Sequence, residues 1–245
     1  MSQLYIDRGN TALKWQLVED TQMSEVGTFS NDIALTEGLS ILKNYRLTNI
    51  YVSSVASEKF HRGLIVWAKE CGHPLPVFIE STRDACGVIN AYQEAEQLGV
   101  DRWLAMIAAY HKYNGMLCVV DTGTALTMDF LLENGEHLGG FIVPGAELMK
   151  SSLLNNTQRI NVDNMPNSNQ LGKNTSEAVT FGIEQMLQLF VREKVAEMEV
   201  KYQQQMTLVL TGGHANDLAE GLSGCVQLEK DLVLQGLKLV SKSYK

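Results

Sequence analysis

The alternation of hydrophobic and polar positions predicts that the chain opens with three consecutive strands and repeats this opening near its middle. The first three predicted strands are residues 3–7, 12–18 and 23–29. The second three are residues 115–121, 124–132 and 137–143, with a strong hairpin signal at Asn134-Gly135. Helical and strand patterns alternate after each set, which is typical of α/β proteins. We therefore predict two duplicated α/β domains, residues 1–114 and 115–245, with a cleft between them.

Apolar residues at helical spacing predict the remaining elements. The predicted helices are residues 31–45 (N-capped by Asn31 or Asp32), 57–71, 100–113, 144–154 (starting at Pro144), 175–198, 215–222 and 232–240. The predicted short strands are residues 50–53, 77–79, 207–210 and 226–228. Residues 86–99 are predicted to be a loop with short helical pieces, and the Asn-rich residues 155–173 a mobile loop.

The composition describes a globular protein and limits its function. Hydrophobic residues make up 45% of the chain and charged residues 20%, which indicates ample core. No apolar run approaches the ~18–20 residues of a membrane span, and the N-terminus lacks a signal-peptide pattern. The net charge of −8 argues against a nucleic-acid partner. The four cysteines lack C-x-x-C spacing and the five histidines lack zinc-site spacing, so we expect reduced thiols in a cytoplasmic protein without zinc.

Each half carries an Asp-x-Gly turn directly after its first strand. Asp7-Arg8-Gly9 stands in the first half and Asp121-Thr122-Gly123 in the second, 121 − 7 = 114 positions later. An Asp at the end of a strand can hold a hydrated cation, and a Gly lets the backbone turn sharply and approach a phosphate. The alternative is an ordinary hairpin with Asp and Gly as turn formers. The repetition favours a nucleotide site.

Three motifs resemble those of the acetate and sugar kinase, actin and heat-shock-chaperone superfamily. Asp7 to Thr11, with Lys14 beyond, resembles the first phosphate motif, and Asp121 to Ala125 the second. Thr211-Gly212-Gly213 is similar to the adenosine motif. This resemblance implies that the two halves are ribonuclease-H-like domains of the actin-like ATPase type.

Three further motifs resemble the signatures of type III pantothenate kinases. They are Asn90-Ala91-Tyr92, Gly99-Val100-Asp101-Arg102-Trp103 and Gly139-Gly140-Phe141-Ile142-Val143-Pro144-Gly145, and the likeness extends to residues 175–182. The resemblance implies ATP-dependent phosphorylation of pantothenate, the first step towards coenzyme A. It also implies ATP with Mg²⁺ and a monovalent cation, K⁺ or NH₄⁺, as cofactors. A homodimer with sites near its interface, and no nucleic-acid or membrane partner, are further expectations.

The resemblance assigns roles to particular residues. Asp101 would be the general base that faces the pantothenate hydroxyl, and Asp121 would bind the monovalent cation. The residues that would line the pantothenate pocket are Tyr92, Gly99, Val100, Asp101, Arg102 and Thr180. The residues that would bind ATP are Asp7, Arg8, Gly9, Asn10, Thr11, Ala12, Leu13, Lys14 and Thr124.

Each role has a structural alternative. Asp101 stands where acidic residues favour a helix N-terminus in any case, and Arg102 could be solvated or pair with Asp101. Tyr92 could be a packing ring, and Lys14 could be solvent-exposed. Arg8 departs from the family pattern, which more often has an apolar or small residue there. We expect Arg8 to point into solvent rather than to phosphate, because alternate strand residues face opposite sides.

Two other functions compete with pantothenate phosphorylation. A non-catalytic accessory regulator of the same fold would have a protein or nucleic-acid partner and no turnover. A kinase of another small alcohol would keep the nucleotide site. The intact motif at residues 99–102 and the acidic charge argue against the regulator, and Tyr92 with residues 139–145 favours pantothenate.

Overall fold

The computed structural model describes residues 2–19, 22–156 and 171–244. The chain forms two compact units. The first consists of Met1–Ala108 and Leu232–Lys245, and the second of Ala109–Asp231. The last helix therefore belongs to the first unit, where it packs on two strands of the sheet. The domain boundary predicted at 114/115 stays a prediction.

A five-stranded mixed sheet organises the first unit. Its strands are β1 (Ser2–Arg8), β2 (Ala12–Glu19), β3 (Gln22–Ser30), β4 (Leu47–Ser54) and β5 (Pro76–Phe78), in the order β3-β2-β1-β4-β5. The first three are antiparallel, whereas β4 is parallel to both β1 and β5. The carboxyl ends of β1, β4 and β5 therefore meet at one edge, where Asp7 aligns with Ser53. A small hairpin, β6 (Asp84–Ala85) with β7 (Val88–Ile89), follows.

The second unit contains a sheet with the same topology. Its strands are β8 (Met116–Thr122), β9 (Ala125–Leu131), β10 (His137–Pro144), β11 (Met206–Thr211) and β12 (Val226–Leu228), in the order β10-β9-β8-β11-β12. Again three antiparallel strands come first and two parallel strands follow. The duplication predicted from the repeated opening is thus present in the strand order. Pro144 ends β10 and does not start a helix as predicted, because it pairs with Ala125 on β9.

The helices cover these sheets. They are α1 (Leu35–Gly38), α2 (Glu58–Glu70), α3 (Val100–Lys112), α4 (Ala146–Asn156), α5 (Thr175–Tyr202), α6 (Ala215–Glu220) and α7 (Leu232–Val240). In the first unit, Leu64 and Trp67 of α2 pack against Leu4, Ile6 and Val52 on one face of the sheet. Helix α7 packs on β1 and β4. Both faces of this sheet are therefore covered. Within the described ranges, no helix is both long and apolar enough to cross a membrane.

Two segments differ from the predicted helices and loops. The helix predicted over residues 31–45 is broken into α1 and a 3₁₀-helix, Ser40–Asn44, and Ala34 rather than Asn31 or Asp32 precedes α1 without a side-chain cap. The reason is that the Asn31 side chain forms its hydrogen bonds elsewhere, as described below. Residues 86–99 contain β7 as well as the 3₁₀-helix Ala95–Gln97. Most of the predicted Asn-rich loop, residues 157–170, lies outside the described residues.

Candidate functional site

The first phosphate-motif hairpin joins β1 to β2. Asp7 lies at the end of β1 opposite Lys14 of β2, and the Lys14 side chain is exposed. The backbone N–H of Gly9 donates to the carbonyl of Ala12 at 3.1 Å and closes the turn, and Asn10 and Thr11 are exposed at its tip. Gly9 does not have positive φ, and a Cβ there would meet only the Ala12 carbonyl, at 3.6 Å. The turn itself therefore does not require glycine, although the sequence suggested that glycine was needed here for a sharp turn of the backbone.

Asn31, directly after β3, holds this hairpin, a role that the sequence did not predict. Its Nδ2 donates to the carbonyls of Gly9 at 3.1 Å and Asn10 at 2.8 Å, while its backbone N–H donates to the Thr11 carbonyl at 3.0 Å. Its Oδ1 is buried without a hydrogen-bond partner among the described residues. No sequence signal distinguishes this asparagine from a helix cap, because the contact joins residues more than 20 positions apart.

The Arg8 side chain is half-buried and does not point into solvent as predicted. Its Nη1 donates to the Gly9 carbonyl at 2.7 Å, and its guanidinium carbon lies 5.2 Å from the ring centre of Phe60 on α2. Burial lowers the pKa of the guanidinium from its ordinary value. The prediction failed because the face of β1 opposite Asp7 is covered by α2 rather than open to water.

The N-terminus of α3 presents the predicted general base. Asp101 Oδ1 accepts a hydrogen bond from the backbone N–H of Arg102 at 2.8 Å. No partner of Oδ2 is found among the described residues. A Cβ at Gly99 would stand 2.6 Å from Oδ1, so the glycine leaves room for this carboxylate orientation. The helix-capping alternative and the catalytic role are therefore compatible, since only one oxygen is used.

Tyr92 and Arg102 are in direct contact. Arg102 is 6% exposed, its Nη1 donates to the Tyr92 hydroxyl at 3.0 Å, and its guanidinium carbon lies 5.8 Å from the Tyr92 ring centre. Asn90, which is buried, accepts from the Tyr92 backbone N–H and donates to the carbonyls of Thr82 and Ala95. The asparagine of the Asn90-Ala91-Tyr92 motif thus fixes the segment that carries the tyrosine.

The second hairpin, between β8 and β9, is held by backbone contacts. The Gly123 N–H donates to the Ala125 carbonyl at 2.9 Å, and the Gly145 N–H donates to the Thr124 carbonyl at 2.9 Å. A Cβ at Gly145 would stand 2.2 Å from the Gly123 carbonyl oxygen. The last glycine of the 139–145 motif is therefore required for the close approach of β10 to this loop. Thr124 is exposed at the tip of the loop.

Asp121 lies at the end of β8 beside Thr211 of β11. Gly212 follows with φ +94°, and a Cβ there would stand 2.4 Å from Asp121 Oδ1 and 2.5 Å from the Thr122 carbonyl oxygen. The Gly212 backbone therefore packs directly against Asp121 and the backbone of Thr122, where no side chain would fit. The Thr122 hydroxyl donates to the Thr211 carbonyl at 3.2 Å, and the His214 N–H donates to the Thr122 carbonyl at 3.2 Å. These bonds join the second phosphate motif to the adenosine motif.

A cavity of about 210 Å³ in the second unit adjoins both motifs. Gly123, Gly145, Lys150, Glu184, Gln188 and His214 are among its lining residues. Burial raises the pKa of Glu184, and Lys150 partly offsets this effect. Lys150, Glu184 and Gln188 could not be identified from the sequence, because they lie on α4 and α5 outside the motifs.

Thr180 of α5 is fully buried, and its hydroxyl has no hydrogen-bond partner among the described residues. Its hydrogen-bonding capacity is thus not used within this part of the chain. The structure brings Tyr92, Gly99, Val100, Asp101 and Arg102 together around the start of α3 in the first unit. Asp121, Thr124 and Thr180 belong to the second unit. In the described ranges, no group of three or more His, Cys, Asp or Glu side chains could hold a metal ion.

Comparison with known sequences gives one family. A model of the type III pantothenate kinase family matches residues 3–197. The chain is 35% identical over 243 residues to the type III pantothenate kinase of Pseudomonas putida strain W619, which covers 96% of this chain and 97% of that protein. The type III pantothenate kinase of Pseudomonas aeruginosa strain LESB58 is 35% identical over 242 residues, with the same shares covered.

Comparison with solved structures confirms the fold. A conserved Baf family protein of Campylobacter jejuni has a TM-score of 0.64 at 21% identity, covering 98% of both chains. The activator of 2-hydroxyisocaproyl-CoA dehydratase from Clostridium difficile, with bound ADPNP, has a TM-score of 0.51 at 11% identity, covering 100% of this chain and 94% of that chain. These likenesses confirm the predicted fold class, two duplicated ribonuclease-H-like domains of the actin-like ATPase type.

Proposed function

The chain belongs to the type III pantothenate kinase family, and on this premise we propose which of its residues carry out the family's reaction. The protein transfers the γ-phosphoryl group of ATP to pantothenate, giving 4′-phosphopantothenate in the first step of coenzyme A biosynthesis. It is a phosphotransferase with an alcohol acceptor. Phosphoryl transfer passes through a loose transition state, so positioning and charge neutralisation dominate catalysis.

Asp101 acts as the general base in this proposal, and its geometry is the observation that carries it. One carboxylate oxygen is held by the Arg102 N–H, and the other has no partner among the described residues. The free oxygen is thus available to accept the proton of the pantothenate hydroxyl as that oxygen attacks the γ-phosphorus. Because positioning dominates phosphoryl transfer, the carboxylate needs mainly to orient this hydroxyl.

Pantothenate binds at the start of α3. Arg102 and Tyr92 are already joined by a hydrogen bond, and Asn90 fixes the tyrosine backbone. A buried guanidinium is suited to bind carboxylate or carbonyl oxygens of the substrate. Gly99 and Val100 contribute the adjoining backbone. Thr180 donates the hydroxyl that has no partner among the described residues.

ATP phosphates bind to residues 7–14 of the first hairpin and to Thr124 of the second. Turn amides and hydroxyls are the groups that recognise phosphate oxygens in such loops. The adenosine end occupies the cavity of about 210 Å³ beside Gly123 and His214. Magnesium arrives bound to ATP, because it keeps several water ligands and needs few protein groups.

Asp121 binds the monovalent cation. Asp121 stands near the end of β8 beside Thr211, and a carboxylate oxygen at the end of a strand suits a hard cation such as K⁺. When bound, the cation supplies positive charge near the phosphates. Asp121 would hold it.

The protein acts as a cytoplasmic homodimer. The side chains of Phe141 and Ile142, on the edge strand β10, are 40% and 61% exposed and offer an apolar surface to a second copy. None of the four cysteines, all of which lie in the described ranges, forms a disulfide, which suits a reducing compartment. No comparison favours the alternative of a non-catalytic regulator.

The test is ADP release from ATP and Mg²⁺, with and without pantothenate, in potassium and in sodium buffer, with the product mass measured. Pantothenate-dependent release that is faster in potassium, with a product one phosphoryl group heavier than pantothenate, is expected. Equal turnover in potassium and sodium would contradict the proposal that Asp121 binds a potassium ion. ATP binding without pantothenate-dependent turnover would contradict the assigned reaction.

A further inference from the structure

The Gly9 carbonyl in the first hairpin accepts two side-chain hydrogen bonds. One comes from Arg8 Nη1 at 2.7 Å and the other from Asn31 Nδ2 at 3.1 Å. A carbonyl oxygen has two lone pairs, so both are used. Asn31 Nδ2 also donates to the Asn10 carbonyl at 2.8 Å. The opposite orientation of the Asn31 amide would place its oxygen against two carbonyl oxygens, so the donor assignment is the one with favourable electrostatics.

These bonds fix two consecutive peptide planes. A peptide unit is planar and trans, so its C=O and N–H point in opposite directions. When the Gly9 and Asn10 carbonyls are turned towards Asn31, the N–H groups of Asn10 and Thr11 are turned away from it. Consecutive N–H groups that point to one side form a concavity suited to an anion. The carbonyls, which would repel phosphate, are held on the other side.

Arg8 is itself anchored on α2. Its guanidinium lies over the Phe60 ring, 5.2 Å from the ring centre, and the residue is half-buried. A guanidinium on an aromatic face is stabilised by the ring quadrupole, and a partly desolvated charge favours a fixed hydrogen-bond acceptor over water. Lowering of the Arg8 pKa by burial agrees with this placement. The hydrogen bond to Gly9 and the contact with Phe60 therefore link the hairpin backbone to α2.

We infer that Arg8 and Asn31 are positioning residues for ATP, which turn the amides of Asn10 and Thr11 towards the phosphates by holding the carbonyls of Gly9 and Asn10. Arg8 thus belongs to the phosphate-binding hairpin through its backbone, and neither the Arg8 nor the Asn31 side chain needs to touch the nucleotide. This inference rests on the proposed phosphate-binding role of the first hairpin. It also gives a purpose to the arginine that departs from the family pattern.

The experiment compares Arg8→Gln, Arg8→Lys, Asn31→Ala and Phe60→Leu with the wild-type protein. The dissociation constant of ATP is measured without pantothenate, and the KM of each substrate and kcat are measured in the full reaction. Arg8→Gln is expected to weaken ATP binding about three- to tenfold, the range of the net contribution of one typical hydrogen bond. Asn31→Ala, which loses two donors, should weaken it more. The KM of pantothenate should stay unchanged.

Phe60→Leu separates positioning from direct phosphate contact. If Arg8 acts through the hairpin, removing its aromatic support should weaken ATP binding about two- to fivefold, and combining it with Arg8→Gln should add little further. Arg8→Lys should restore part of the loss, because an ammonium group can also donate. Arg62→Gln is the matched control, since Arg62 stands on the same helix with a side chain 79% exposed. It should leave ATP binding unchanged.

Three results would overturn the inference. The first is an ATP dissociation constant that is unchanged in both Arg8→Gln and Asn31→Ala. The second is a rise in the KM of pantothenate equal to the rise for ATP, which would indicate general damage to the protein. The third is weaker ATP binding in Arg8→Gln with unchanged ATP binding in Phe60→Leu, which would indicate a direct contact between Arg8 and phosphate. Melting temperatures identify any variant that fails to fold, and Arg8→Gln alone still decides the question if Asn31→Ala is unfolded. A wild-type protein that binds no ATP would defeat the proposed function rather than this inference.

Discussion

The two Asp-x-Gly hairpins have similar sequences and the same place in their sheets, yet they are held by different means. The first is held by side chains, with Asn31 and Arg8 donating to its carbonyls. The second is held by backbone, with Gly145 donating to Thr124 and approaching so closely that a Cβ would stand 2.2 Å from the Gly123 carbonyl oxygen. Duplication has thus preserved the shape of the loop but not the interactions that support it.

This difference determines which substitutions each loop tolerates. A loop held by side chains is sensitive to truncation of residues outside its motif. A loop held by close backbone approach is sensitive to any added Cβ, because backbone atoms cannot move aside cheaply. The motif glycines Gly9 and Gly123 are not the sterically constrained ones, since a Cβ on either meets only ordinary contacts. The constrained glycines are Gly145 and Gly212, which come from the next strand and the adenosine motif.

The largest effect is expected from Gly145→Ala. The added methyl group would press on the carbonyls of Gly123 and Thr124, so we expect the free energy of unfolding to fall by about 1–3 kcal/mol, and ATP-dependent turnover to be nearly lost. Chemical denaturation measures the first effect and ADP release the second. Gly182→Ala on α5, where a Cβ would meet nothing within 4 Å, is the stability control. Equal stability of Gly145→Ala and the wild type would show that the close approach is not required.

Asp121→Asn should lose the response to potassium. The amide has no charge and would bind a cation weakly, so turnover in potassium should fall to roughly the wild-type level in sodium, on the order of ten- to a hundredfold. Initial rates against potassium concentration measure this. Asp129→Asn is not a suitable control because Asp129 forms a buried pair with His137, so Glu193 on α5, with a side chain that is 70% exposed, is substituted by Gln instead. A normal potassium response in Asp121→Asn would exclude Asp121 as the ligand.

Gly9→Ala sharpens the comparison from the other loop. The turn accepts a Cβ, so the free energy of unfolding should change by less than about 1 kcal/mol. A phosphate close to this backbone would nevertheless meet the methyl group, so the KM of ATP should rise about tenfold. If the variant unfolds as Gly145→Ala does, the two loops are not supported differently. If its KM for ATP is normal, phosphate does not approach Gly9.

The smallest effect is expected from Thr180→Val, which should make the protein more stable but weaken its binding of pantothenate. Removing a buried hydroxyl that has no partner among the described residues should raise the free energy of unfolding by about 1 kcal/mol. Removing a substrate ligand should raise the KM of pantothenate severalfold and leave that of ATP unchanged. Thr180→Ser, which keeps the hydroxyl, should keep the KM. A normal KM in Thr180→Val would make the residue purely structural.

Much of the fold could be predicted from the sequence because its signals are local. Hydrophobic alternation gave the six strands that open the two halves, and α7 has the bounds that apolar spacing indicated, Leu232–Val240. Helix α2, Glu58–Glu70, lies within the helix predicted for residues 57–71, and the two outer predicted residues, Ser57 and Cys71, flank it directly. The location of α7 in the first unit was not predictable, because it depends on a fit between Gly236 and the Leu104 carbonyl, where a Cβ would stand 2.0 Å away.

The site residues that belong to a motif were predicted from the sequence. The prediction failed for residues whose contacts join parts of the chain that are distant in sequence. Residues 99–102 and Tyr92 do gather at the start of α3. Arg8 was expected in solvent because strand alternation alone does not show that α2 covers the second face. Asn31 was expected to cap a helix, because its local sequence fits a cap. Its partners are instead the carbonyls of Gly9 and Asn10 in the turn between β1 and β2, which the local sequence does not show.

The most direct test of the account is a comparison of wild type and Asp101→Asn in one experiment that measures the ATP dissociation constant and pantothenate-dependent ADP release. The account predicts unchanged ATP binding and turnover reduced on the order of a hundredfold or more, since the amide cannot accept the hydroxyl proton. Turnover within about twofold of the wild type would contradict the assignment of Asp101 as the base that activates pantothenate.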